Sequence, residues 1–100
     1  MSDIDDIENK ITPILKRNDV EFAGLFGSRV RGEEKPDSDV DILIRYSVPK
    51  GLFETIGLQQ QLSEILKTKV DLVSEKYLHP YIKPNVKKDL KVLYGKRRYI

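Results

Sequence analysis

The residues of this chain best suited to chemistry are three aspartates: Asp39, Asp41 two positions further on, and Asp71, thirty positions after Asp41. The first two open the run Asp39-Val-Asp-Ile-Leu-Ile44, and the third lies within Val70-Asp-Leu-Val73. Both runs have the pattern of a strand. Side chains on a strand alternate between faces, so Asp39 and Asp41 share one side while Val40, Ile42 and Ile44 take the other. Carboxylates held side by side repel unless a cation or a proton lies between them. A hard ion such as Mg²⁺ or Mn²⁺ accepts that arrangement, completed by water and substrate phosphate oxygens. If the strand of Asp71 lies beside the first, three carboxylates converge. Such a site holds two divalent ions about 3.5 to 4 Å apart, one activating an acceptor hydroxyl and the other clamping leaving phosphate oxygens.

A second constellation is Gly27-Ser28, at the abrupt end of the run Val20 to Phe26. Glycine lets backbone amides approach an anion, Ser28 adds a hydroxyl, and a helical turn after it would aim its first amides at the same place. The GxxxxGK[ST] phosphate loop is absent, so an ATPase or GTPase of that type has no support. Arg29 and Arg31 follow the phosphate seat; Arg31 is the better candidate for supporting a transferring phosphoryl group, and Arg29 reads equally well as a solvated charge. Asp37, between Pro36 and Ser38, reads as a turn former. The single histidine, His79, forms no cluster, and without cysteine there is no disulfide, thiolate site or cysteine nucleophile. Any metal must sit on oxygen.

The elements that must position these groups are legible from periodicity. Ile4, Ile7, Ile11, Ile14 and Leu15 recur at helical spacing, with Ser2 or Asp3 as cap, Lys16 and Arg17 at the far end, and a kink or division expected near Thr12 because of Pro13. Val20 to Phe26 and Asp39 to Tyr46 are expected strands, separated by a helical turn and loop over Arg29 to Ser38. After the turn Val48 to Gly51, apolar residues at 52, 53, 56, 58, 62, 65 and 66 predict a second helix over Leu52 to Lys67. A short strand over Val70 to Val73, a helix over Leu78 to Lys88 interrupted by Pro80 and Pro84, and an extended segment over Leu90 to Tyr94 complete the chain. Interleaved strands and helices predict an α/β (α+β) domain, a small sheet packed with helices, with strand order and pairing sense left open.

At 100 residues and 39% hydrophobic composition, one compact domain is expected over residues 1–95, followed by a basic tail over residues 96–100. No apolar stretch reaches the roughly 20 residues of a membrane helix, and the acidic start is unlike a signal peptide, so a cytoplasmic protein is expected. Against 16 acidic side chains stand 18 basic ones, a net charge of +2 that is too small to argue for direct nucleic-acid binding. Lys83, Lys87, Lys88, Lys91, Lys96, Arg97 and Arg98, interleaved with Tyr94, Tyr99 and Ile100, read first as a solvated tail and second as a contact for a partner.

Taken together, Gly27-Ser28, the Ser38 to Asp41 segment ten positions on, and the fuller run GSRVRGEEKPDSDVDILI followed by VDLV resemble the signature of the DNA polymerase β-like nucleotidyltransferase superfamily, and within it the MNT group of minimal nucleotidyltransferases. The resemblance covers nearly the whole chain. It implies a palm-like nucleotidyltransferase fold in which Asp39 and Asp41 bind Mg²⁺, Asp71 supplies the third carboxylate and general base, Gly27 and Ser28 grip the β and γ phosphates, and Arg31 supports the triphosphate. It also implies transfer of AMP from ATP to a tyrosine hydroxyl of a HEPN-domain ribonuclease toxin, with this chain as the antitoxin. So small a domain holds no acceptor of its own, which fits an acceptor presented by a partner. A non-catalytic antitoxin that acts by binding alone, and transfer to a small molecule or an RNA end, remain alternatives, and a homodimer is compatible with the size.

Overall fold

The computed structural model describes residues 3–27, 39–75 and 90–95. Helix α1 spans Asp3–Arg17, strand β1 Val20–Phe26, β2 Val40–Tyr46, helix α2 Leu52–Leu66, β3 Val70–Ser74 and β4 Lys91–Gly95. The expected helical turn at 29–38 and the expected helix at 78–88 lie outside the described residues, as does Ser2.

The four strands form one mixed sheet in the order β3-β2-β1-β4. β1 pairs antiparallel with β2 and with β4, whereas β2 and β3 run parallel. A parallel pair needs a long crossover, and α2 supplies it between β2 and β3. Both helices contribute to a single apolar cluster on one sheet face, where Ile7, Ile11, Ile14 and Leu15 of α1 and Leu58 and Leu62 of α2 meet Val40, Ile42 and Ile44 of β2. On the opposite face Phe22, Leu43 and Leu90 form a smaller cluster. Gly24 belongs to that second face: a methyl in its place would meet Leu90 Cγ at 2.9 Å, so the bare backbone is what lets Leu90 lie flat on the sheet.

One reading of the helices is corrected. α1 is not divided near Thr12 but continues through Pro13 to Arg17. Proline removes the amide that would bond to Asn9, an exposed position, while Thr12 Oγ1 donates to the Glu8 carbonyl at 2.6 Å. Ile11, Ile14 and Leu15, each no more than 6% exposed, anchor both sides of the proline; each such burial contributes about 1.5 to 3 kcal/mol, enough together to offset a proline cost of about 3 kcal/mol. In α2 the apolar rhythm is helical, yet only Leu58 and Leu62 are buried, and Leu52, Phe53, Ile56 and Ile65 face outward, with Phe53 88% exposed. Periodicity detected the helix but not which of its apolar residues meet the sheet. Tyr94, at the end of the expected extended segment, sits in β4 against the core, with the Lys16 ammonium 5.9 Å from its ring centre.

Candidate active site

The end of β1 and the start of β2 meet because Phe26 pairs with Asp41 across the antiparallel ladder. The next residue, Gly27, takes a left-handed φ of +85° and turns over that aspartate. A Cβ at Gly27 would run into the Asp41 carboxylate, with Cγ 3.2 Å away. The glycine thus does two jobs, one of conformation and one of space.

Parallel pairing places Asp41 level with Asp71. Neighbouring strands lie about 4.8 Å apart, and register partners of a parallel pair point to one face, so the two carboxylates stand side by side. Their face is opposite the one on which Val40, Ile42 and Ile44 join the helical core, as alternation requires. Asp39 immediately precedes β2, and its Oδ2 lies 3.7 Å from Lys69 Nζ. The amide of Val40 donates to the Lys69 carbonyl at 2.9 Å, which ties the start of β2 to the residue before β3. All three aspartates are half-buried. Ser28 and Arg31, the remaining candidates, lie outside the described residues.

Among the described residues no three carboxylates or imidazoles are drawn together tightly enough to cage an ion unaided. The donor set is nonetheless all oxygen, and a hard divalent ion that keeps several waters and takes substrate phosphate oxygens needs only one or two protein carboxylates. The residues fit such an ion.

Three residues that positional reading of the sequence did not single out set this geometry. β3 is an edge strand, and α2 satisfies its outer amides: Ser63 Oγ accepts from Val70 N at 3.1 Å and Gln59 Oε1 from Leu72 N at 2.9 Å. Asp71 is therefore held between two anchored neighbours. The signal available was a pair of uncharged polar residues at i and i+4 beside the buried Leu58 and Leu62. Lys69 is the third. Replacing Gln59 by Leu should leave a part-buried amide unpaired and destabilise the domain by about 1 to 3 kcal/mol. Thermal denaturation, with hydrogen exchange at the Leu72 amide, checks this; an unchanged melting temperature and unchanged protection would contradict it.

Residues 9–99 match the family described as polymerase beta, nucleotidyltransferase. This chain belongs to that family. A Methanocaldococcus jannaschii protein provisionally named a protein adenylyltransferase is 41% identical over 92 residues, 90% of this chain and 94% of that protein. Protein adenylyltransferase MntA of Thermococcus cleftensis is 36% identical over 94 residues, 90% of this chain and 95% of that protein. Among solved structures, a toxin-antitoxin crystallised with AMP-PNP superposes with a TM-score of 0.81 at 29% identity, covering 90% of this chain and 74% of that one. A complex of tri-AMPylated Shewanella oneidensis HEPN toxin with MNT antitoxin gives a TM-score of 0.75 at 26% identity, covering 93% and 73%. The mixed four-stranded sheet and two helices of the described residues are the nucleotidyltransferase fold expected from the motif. No helix among the described residues is long and apolar enough to cross a membrane.

Proposed function

We propose that this nucleotidyltransferase is a cytoplasmic protein adenylyltransferase that acts as an antitoxin, moving AMP from ATP onto a tyrosine hydroxyl of a HEPN-domain toxin. The observation that carries the chemistry is Gly27 turning over Asp41 while Asp41 lies level with Asp71. A backbone free of side chain, next to two carboxylates on one face, is what a nucleoside triphosphate with its cation requires. The named relatives and the toxin-antitoxin complexes support the choice of AMP and of a protein acceptor.

In this reading Asp39 and Asp41 hold Mg²⁺ or Mn²⁺, and Asp71 shares that ion field while receiving the proton of the acceptor hydroxyl. When bound, the cations neutralise triphosphate charge and favour the deprotonated hydroxyl. Gly27 and Ser28 seat the β and γ phosphates against backbone amides, and Arg31 steadies the same oxygens. The acceptor oxygen attacks the α-phosphorus in line, forming the new P–O bond. The bond from that phosphorus to the bridging oxygen breaks, and pyrophosphate leaves with the electron pair. Since Asp41 and Asp71 are set on paired strands, most of the catalytic gain is positioning and charge stabilisation.

The test mixes the purified protein with α-labelled ATP, Mg²⁺ and the product of the neighbouring gene, with Asp39→Asn/Asp41→Asn as control. Label on the partner that disappears in the double variant is the expected result. A stable complex that silences the partner without label would replace transfer by binding alone. Label on an RNA end or a small molecule instead would move the acceptor.

A further inference from the structure

We infer that Lys69 makes this site select a metal–nucleotide complex over the bare divalent ion; the inference rests on the reading of Asp39 as a metal ligand. Lys69 is fixed at its root and loose at its tip. Its carbonyl accepts the Val40 amide at 2.9 Å, so the residue cannot leave the edge of the site. Its side chain is 70% exposed, and its ammonium stands 3.7 Å from Asp39 Oδ2, beyond good hydrogen-bond distance. The pair is an ion contact that either member can abandon.

That arrangement treats two ligands oppositely. A bare divalent ion arriving at Asp39 must displace the ammonium and then remain within a few ångströms of it, positive beside positive. A divalent ion already bound to a triphosphate brings a net negative charge, so the same ammonium attracts it. The phosphate oxygens also offer the displaced lysine a new partner. One side chain therefore weakens occupancy by metal alone and strengthens occupancy by metal with substrate. At a solvent-exposed position the expected size is about three- to tenfold in affinity for each ligand, and it should fade as salt screens the charge.

Mn²⁺ binding by the full chain, followed by electron paramagnetic resonance of the free ion, tests this without any turnover. Titrations are run with and without α,β-methylene-ATP, whose α–β linkage cannot be transferred. Lys69→Met is expected to bind bare Mn²⁺ about three- to tenfold more tightly and the Mn²⁺ complex of the analogue about three- to tenfold more weakly, while Lys69→Arg behaves like the wild type. Shifts of both affinities in the same direction, or of neither, would overturn the inference. Asp39→Asn separates the two layers. If it leaves bare Mn²⁺ binding unchanged, Asp39 is no ligand and the inference falls with that reading; if it weakens binding while Lys69→Met changes nothing, only the role of Lys69 falls.

Discussion

Replacing Asp41 by asparagine is expected to slow adenylyl transfer about a thousandfold or more, a loss of about 4 kcal/mol of transition-state stabilisation. The substitution keeps the shape of the side chain and removes one negative charge from the place where Gly27, Asp41 and Asp71 meet. Folding should be nearly indifferent. Asp41 is half-buried and contributes nothing to the apolar core, and asparagine retains an acceptor oxygen. The melting temperature without metal is therefore expected to move by no more than about 3 °C. Addition of Mg²⁺ with nucleotide should then raise the melting temperature of the wild type, because a ligand that binds only the folded state stabilises it, and should raise that of the variant much less. Transfer within tenfold of wild type would remove Asp41 from the catalytic set. A variant that loses activity and unfolds together would leave the residue a structural role only.

The second large effect is expected at Gly27. Alanine there must adopt a left-handed φ near the observed +85°, which costs about 1 to 2 kcal/mol for a residue with a Cβ. The added methyl also points at the Asp41 carboxylate, and that collision is relieved only by moving the turn or the aspartate. Either movement displaces the proposed phosphate seat or metal ligand by a fraction of an ångström to an ångström, a misplacement that costs about a hundredfold in rate. Gly27→Ala should therefore lose about 100-fold in transfer, with a melting temperature lower by about 4 to 12 °C. The comparison that matters is with Gly24→Ala. Gly24 also abuts a side chain, that of Leu90, but has no part in the site. It should lower the melting temperature while leaving transfer by the folded fraction within a few-fold of wild type. Equal catalytic losses in the two variants would mean that the glycines matter through stability alone.

Much of this architecture was legible because each strand carries its own alternation. The boundaries of β1 and the register in which Val40, Ile42 and Ile44 oppose Asp41 depend on local residue types, and the burial of those three isoleucine and valine side chains follows them. The helical spacing of α1 and α2 was equally local. Where local signals compete, the outcome was not legible: Pro13 argued for a break that core packing overrode, and the apolar residues of α2 did not announce which would find the sheet.

By itself the sequence determined the chemistry on offer. Oxygen donors without cysteine, Asp39 and Asp41 at strand spacing, and a glycine at the abrupt end of a strand are groups suited to the hard cations and phosphates of the proposed site, because these properties belong to side-chain type and backbone periodicity. Tertiary structure alone decided which of those groups meet. Asp71 becomes a neighbour of Asp41 only because β3 returns parallel to β2 through α2 and is held in that register by Gln59 and Ser63. Lys69 comes to Asp39 for the same reason. Contacts between residues thirty positions apart depend on strand pairing, a property of the whole sheet, and no local pattern encodes it.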